Sequence, residues 1–445
     1  MTLLVMLEER GQEVLVGRIE GTGSQDARFV YDPDYQSQPE HRPISIALPF
    51  SEEPYSPEKT RCFFDGLLPE GYTRRCVASE MHVDAQDYIS ILEKLGDECL
   101  GAIRIVKEGE KPPMAAYQEM PDDLLKRFAM EGATESAALV AKSHLSLTGA
   151  SGKAGLYFSY SEKKWYLPVG SAPSTHIVKQ SHVRLDKIVT NEQLCLKTAE
   201  KLGMDVPESF VVSFYDEGEK DESSEKRPGE SAWSDDKREK VCVLFATRRY
   251  DRKFSADSRN LNGIPVPYRL HQEDFAQALG IPSAFKYEKP GDRYLEKMFR
   301  LLRNYSANPL EDTLKLWDIC IFNYLIGNTD NHIKNLSLLY SEDRKKIRLA
   351  PAYDIVSTLI YESSTDEMSL GINGAYNIWE ITGENFKKEA RNVGLGVGIA
   401  MEHYDRMHSE FENALAQSAE ELCAQGFSEA SGTAREILEV FKKRY

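Results

Sequence analysis

Asp330-Asn331-His332-Ile333-Lys334-Asn335, followed by Ala352-Tyr353-Asp354-Ile355, is the stretch from which the rest of this 445-residue chain is read. It places two carboxylates and a carboxamide in the order that phosphoryl transfer uses. One Asp accepts the proton of the attacking hydroxyl, an Asn further along the same loop holds Mg²⁺, and a second Asp beyond a hairpin holds the metal against the phosphates. Asp330, Asn335 and Asp354 fit those roles in turn. Mg²⁺ keeps several of its waters, so two protein oxygens plus phosphates are enough. A D-x-x-x-x-N string by itself also describes an ordinary Asn/Asp-rich turn. Its surroundings therefore decide.

Those surroundings agree. Residues 310–326 carry Leu314, Trp317, Ile321 and Leu325 at helical spacing and deliver the chain to Gly327 and Asn328. After the loop, residues 336–340 and 347–350 are strand-like runs around a polar turn, which predicts a hairpin ahead of Asp354. Upstream, residues 174–179 form a strand-like run that ends in Lys179, where kinases carry the lysine for the α- and β-phosphates. A helix is expected over 191–202, with Glu192 in its first turn as partner of Lys179 or as a charge suited to the helix dipole. Residues 145–153 read Leu-Ser-Leu-Thr-Gly-Ala-Ser-Gly-Lys, small residues whose N–H groups can approach phosphate oxygens. The spacing is not that of a Walker A loop, and Ala154 stands where that motif needs Ser or Thr. The loop precedes a strand pair at 156–160 and 164–167, where a phosphate-covering loop belongs.

Taken together, Ser146-Leu-Thr-Gly-Ala-Ser-Gly-Lys153, Thr175-His-Ile-Val-Lys179, Arg249-Tyr-Asp-Arg252, Gly327-Asn-Thr-Asp-Asn-His-Ile-Lys-Asn335 and Tyr353-Asp-Ile355 resemble the HipA serine/threonine kinases, the toxin half of HipBA toxin–antitoxin modules. The N-terminal stretch joins in with Arg42-Pro-Ile-Ser-Ile-Ala-Leu-Pro49, Phe63-Phe-Asp-Gly-Leu-Leu-Pro-Glu-Gly71 and Leu95-Gly-Asp-Glu-Cys-Leu-Gly-Ala102, so the resemblance covers nearly the whole chain. It implies an α+β, bilobal protein-kinase-like fold akin to the phosphoinositide kinases. Residues 1–140 would be the N-terminal subdomain, 141–252 a β-rich nucleotide-binding lobe, and 253–445 a helical C-lobe. ATP and Mg²⁺ would be the cofactors.

By the same resemblance, Asp330 is the proton acceptor, Asn335 and Asp354 the Mg²⁺ ligands, and Lys179 the phosphate lysine. ATP would touch Thr148, Gly149, Ala150, Ser151, Gly152, Lys153, His332, Asn335, Tyr353 and Asp354. Residues 243–251 would be the hinge, with Arg248, Arg249 and Tyr250 offering backbone groups to adenine. Ser146 matches a loop serine whose autophosphorylation expels the loop and inactivates the enzyme. Two positions depart from the usual pattern: Ser151 stands where Gln is common, and Arg248 where an acidic residue is common. The implied partners are a small helix-turn-helix antitoxin, HipB-like, and a protein substrate such as an aminoacyl-tRNA synthetase.

Composition sets the limits. At 41% apolar and 28% charged residues the chain reads as globular, and it carries no apolar run near membrane-span length and no signal-peptide pattern at its start. A cytoplasmic protein is expected. Seven cysteines without a C-x-x-C pair argue against a disulfide framework or a zinc site. No H-E-x-x-H or G-x-S-x-G occurs, which removes the metalloprotease and α/β-hydrolase readings. A net charge of −16 repels nucleic acid, so DNA contact is expected only through a basic partner. Residues 216–240 hold ten acidic and six basic side chains and read as a mobile charged insertion. Two other functional classes stay open at this stage. One is a small-molecule or lipid-type kinase, since D-x-H-x-x-N also resembles phosphoinositide kinases; the other is a non-catalytic regulator acting through an antitoxin complex.

Overall fold

The computed structural model describes residues 2–110, 114–131, 153–180, 187–215, 240–255 and 258–444. The first of its layers is a four-stranded antiparallel sheet of strands β1 (Thr2–Glu9), β2 (Gln12–Glu20), β3 (Arg28–Tyr31) and β4 (Ile103–Lys107), in the order β3-β2-β1-β4. Alternation along β1 buries Leu3, Val5 and Leu7 in one core with the helices Pro57–Phe64 and Tyr88–Leu95, while on its other face Leu4 and Met6 are half-buried and Glu8 is buried. Arg10 and Gly11 both have positive φ, as a two-residue hairpin turn matched to strand twist requires.

A second antiparallel sheet of six strands follows: β5 (Ala116–Met120), β6 (Lys153–Ser159), β7 (Lys164–Val169), β8 (His176–Gln180), β9 (Ser209–Tyr215) and β10 (Lys240–Arg248), in the order β5-β7-β6-β8-β10-β9. Its first strand corrects the division at residue 140. β5 pairs with β7 along its length, and the helix Asp122–Glu131 buries Leu125 and Phe128 in the core of this sheet. Residues 116–131 therefore lie with the β-rich lobe. Their apolar positions had no partner nearby in sequence, and the pairing comes from a strand more than forty residues on. The helix Ile188–Lys201 covers β9 and β10 and buries Leu194, Cys195, Leu196 and Ala199.

The third layer is mostly helical, built on Tyr294–Tyr305, Pro309–Ile326, Gly383–Asn392, Val397–Ala424 and Ala430–Lys442 around Phe299, Trp317, Phe386, Phe411 and Phe441. The helix leading to the catalytic-type loop starts on Pro309 and stops at Gly327 in the left-handed region, φ +70°. A side chain at Gly327 would also collide with Val440. Burial on this helix extends all round from Leu316 to Ile326 rather than along one face, because helices pack on more than one side of it. The lobe is also less purely helical than the sequence suggests. Strand Gln272–Asp274 joins the hairpin Ser337–Tyr340 and Ile347–Leu349 in a three-stranded sheet, and Glu367–Ile372 pairs with Ala375–Asn377. The whole is an α+β, bilobal kinase-like fold with an added N-terminal sheet unit.

Candidate active site

Between the six-stranded sheet and the helical lobe runs a cleft enclosing about 850 Å³ of space continuous with solvent. Ten residues singled out from the sequence line it: Lys153, Lys179, Glu192, Arg248, Arg249, Tyr250, His332, Asn335, Tyr353 and Asp354. Asp330 stands exposed on the same loop as His332 and Asn335. Ser146, Thr148, Gly149, Ala150, Ser151 and Gly152 lie outside the described residues, as does the charged insertion up to residue 239.

Local hydrogen bonds shape the loop. Asn328 Oδ1 accepts from the Asp330 N–H at 3.0 Å, the His332 N–H donates to the Asp330 carbonyl at 2.9 Å, and Asn335 Nδ2 donates to that same carbonyl at 3.0 Å. With Nδ2 so engaged, Oδ1 is the Asn335 atom left to meet a cation. Asp354 supplies the second oxygen donor from a backbone with φ +56°, a conformation that costs energy for any residue with a Cβ and collects at functional sites. One carboxamide and one carboxylate oxygen are hard donors of the kind Mg²⁺ takes when phosphates complete its shell. Among the described residues no group of three His, Cys, Asp or Glu side chains could hold a metal by itself.

Lys179 on β8 donates to Glu192 Oε1 at 2.7 Å and to Asp354 Oδ1 at 2.5 Å. One ammonium thus serves two carboxylates. Burial works against the charge on Lys179, yet Asp354 and Glu192 hold it above the ordinary lysine range. Burial also opposes the Asp354 charge, but Lys179 and Lys153 keep that carboxyl below its usual range. Glu192, desolvated and only partly compensated by Lys179, is pushed up. Burial and the neighbouring Lys179 bring Lys153 down to about 8, against the pull of Asp354. The helix bearing Glu192 begins at Ile188, so this glutamate sits in the second turn and not the first. That removes the helix-dipole explanation for it, which holds only at the terminus, and leaves the ion pair with Lys179.

His332 is buried and its imidazole is brought down to about 3 by desolvation and by Lys286, so it is neutral at ordinary pH. Its Nδ1 has no hydrogen-bond partner among the described residues, nor does the buried Thr247 hydroxyl. Both line the cleft, and buried polar atoms of this kind ask for a ligand or water. At the hinge two of the backbone donors are already engaged. The Arg248 N–H donates to the Glu208 carbonyl at 2.8 Å and the Arg249 N–H to the Thr175 carbonyl at 2.9 Å, so sheet pairing consumes both donors. The Arg249 side chain turns into the protein, where it bonds Glu98, Ser174 and Asp251. Tyr250 stacks at a tilt on Tyr353, centroids 5.9 Å apart, and its hydroxyl reaches Gln272. Tyr353 in turn bonds Ser337 and the Lys334 carbonyl.

Sequence reasoning missed three contributors. Glu70 reaches the cleft from the N-terminal unit, bonding Lys286 at 2.6 Å and facing Lys334 at 3.5 Å. Lys334 is buried and pairs with Asp274 at 2.7 Å. Tyr287 donates its hydroxyl to Asp330 Oδ1 at 2.8 Å. Glu70 and Lys334 do lie inside motifs quoted above, but nothing in either motif says that the two segments meet.

The chain is similar to known proteins over most of its length. Residues 145–419 match the HipA-like C-terminal domain and residues 6–106 the HipA N-terminal domain. A putative kinase, Y4mE, of Sinorhizobium fredii is 30% identical over 416 residues, covering 91% of this chain and 90% of its own length. The serine/threonine-protein kinase toxin HipA of Shewanella oneidensis is 23% identical over 423 residues, covering 92% of this chain and 88% of its own. In the solved complex of Shewanella oneidensis HipA with HipB and its operator DNA, one chain superposes with a TM-score of 0.76 at 21% identity, over 99% of this chain and 96% of that one.

Proposed function

The chain belongs to the HipA family, and from that membership we propose that it is an ATP- and Mg²⁺-dependent protein serine/threonine kinase acting as the toxin of a toxin–antitoxin module. The observation that carries the proposal is the triad Lys179, Glu192 and Asp354 facing the Asp330–Asn335 loop across one cleft. Lys179 exchanges Asp354 for the nucleotide's phosphates while Glu192 keeps the ammonium in place. Asn335 Oδ1 and the Asp354 carboxylate would hold the metal, which when bound neutralises charge on the phosphate oxygens. Asp330 accepts the proton of the attacking hydroxyl. Partial desolvation and the charge of Asp354 raise its carboxyl above the ordinary range, against the bond from Tyr287. A base of somewhat raised pKa accepts a proton more readily. The neutral His332 and Thr247 offer polar contacts to the nucleotide, and Tyr250 and Tyr353 wall its pocket.

The remaining assignments are part of the same proposal. Ser146 is the autophosphorylated switch, because about two added charges on a phosphate-binding loop repel the nucleotide and favour an expelled loop. The solved HipA–HipB–DNA complex supports a HipB-like helix-turn-helix partner that would supply the DNA contact this acidic chain lacks. An aminoacyl-tRNA synthetase is the proposed substrate and the cytoplasm the proposed compartment. Among the described residues no helix is long and apolar enough to cross a membrane.

The test is radiolabelled phosphate transfer from ATP by Asp330→Asn. A general base contributes about 10² to 10⁴ in rate, so the variant is expected to fold and bind ATP but transfer phosphate at under a hundredth of the wild-type rate. Transfer above a tenth of wild type would mean that another group is the base.

A further inference from the structure

Tyr287 touches the group just assigned as the base, yet no phosphotransfer role accounts for it. About half of the residue is exposed, so it is not there to fill a core. It is nevertheless held on both sides. The preceding Lys286 is pinned by Glu70 Oε2 at 2.6 Å. The following Glu288 donates its N–H to the Ser369 carbonyl at 3.0 Å and accepts from the N–H groups of Tyr294 and Gly371 at 2.5 and 2.6 Å. The phenol ring stands edge-on to His332 with centroids 5.2 Å apart, and the Lys286 ammonium lies 5.3 Å from the ring centroid. Segment 286–288 is thus a fixed arm that ends in one hydroxyl on Asp330.

Asp330 is the exposed member of an otherwise buried loop, and an exposed carboxylate can rotate, whereas a base works only when held to within about half an ångström and 10–20° of its productive position. A donor on Oδ1 fixes the plane of the carboxylate and leaves Oδ2 for the acceptor hydroxyl. The arm itself is fastened by Glu70, which also faces Lys334, the neighbour of Asn335 in the loop. We propose that Tyr287, anchored through Lys286 to Glu70, is the positioning residue of the phosphotransfer base, and that the N-terminal sheet unit is thereby a working part of the kinase site. This rests on the reading of Asp330 as the base.

The test uses the full chain and the variants Tyr287→Phe, Glu70→Gln and the double. Single-turnover transfer from radiolabelled ATP is followed to the protein itself and to myelin basic protein, with ATP affinity measured separately by calorimetry. Tyr287→Phe keeps the ring and removes only the hydroxyl. Loss of one hydrogen bond to a charged group predicts a rate lower by about tenfold or more, with ATP affinity within about twofold of wild type. Glu70→Gln should lower the rate in the same direction by less, and the double should be no worse than Tyr287→Phe to within about twofold, since both act along one path. Unchanged transfer by Tyr287→Phe overturns the proposal. Faster transfer overturns it too, because the hydroxyl would then be a plug in the acceptor's place; so does a matching loss of ATP affinity, which marks a purely structural role. A double variant whose loss is the product of the single losses removes Glu70 from the arm. If the wild-type chain itself transfers nothing, the kinase reading fails and carries this one with it.

Discussion

Two clusters of buried and half-buried charge meet near the middle of this molecule and are built differently. At the junction of the N-terminal unit with the other two layers, Glu8, Glu98 and Asp251 face Arg249, Arg252 and Arg269, every side chain 1–2% exposed. Acids and bases balance there. Glu98 bonds all three arginines, which against the cost of its burial bring its carboxyl down to about 2; Arg249 and Arg252 likewise hold Asp251 below its usual range. In the cleft, by contrast, two carboxylates share Lys179, one of them is pushed up and the other down, and Lys153 is brought to about 8 nearby. Asp354 remains 39% exposed. The junction is closed upon itself, so its charges fasten layers; the cleft is open, so its ion pairs can be traded for phosphates and a metal.

Substitution should separate the two. Glu98→Ala leaves three buried guanidinium groups with only Glu8 and Asp251 to pair them, and breaking a buried pair of this kind costs about 3–5 kcal/mol, to be read as a lower urea midpoint. Asp354→Asn removes a partly exposed member of a set in which Lys179 keeps Glu192, and Asn tolerates the left-handed backbone at this position. Its expected stability loss is under about 1 kcal/mol. Equal losses in the two variants would erase the distinction between fastening and working charge.

A smaller effect refines the junction side. Glu273 is buried where Ser45 and Ile46 of the N-terminal unit meet Tyr340, and desolvation pushes its carboxyl up to about 7 despite their hydrogen bonds. The folded chain then holds a proton that the unfolded chain gives up above the ordinary value of 4.5, so this group's contribution is full at lower pH and is lost as pH rises towards 7. Glu98 has the opposite sign: its contribution is present above 4.5 and is lost as pH falls towards 2. Urea midpoints between pH 4.5 and 7 should decline more steeply for wild type than for Glu273→Gln. Parallel curves would mean that Glu273 is ionised in the folded protein.

The same contrast explains what could be read from the sequence. Asp330, Asn335 and Asp354 were legible because a loop, a turn and a hairpin fix their spacing locally. Lys179 was legible as the end of a short strand. The junction was not, because Glu8, Glu98, Arg249 and Arg269 come from segments far apart in the chain, and a buried arginine has no signature that distinguishes it from a solvated one. The hinge reading of Arg249 concerns its backbone and gives no sign that its side chain belongs to the junction. Strand β5 was placed with the N-terminal section for the same reason, since its partner β7 lies beyond the phosphate-type loop. Glu70 and Tyr287 escaped because their importance lies in what they touch far along the chain.

The most direct test of the claim that the cleft trades its ion pairs for nucleotide and metal is calorimetric titration of ATP into wild type and Asp354→Asn, each with MgCl₂ and with EDTA. Mg²⁺ should tighten ATP binding to wild type and add little for Asp354→Asn, while the two proteins bind metal-free ATP with similar affinity, because the lost carboxylate acts through the ion. Equal weakening of the variant with and without Mg²⁺ would contradict the account and make Asp354 a structural residue.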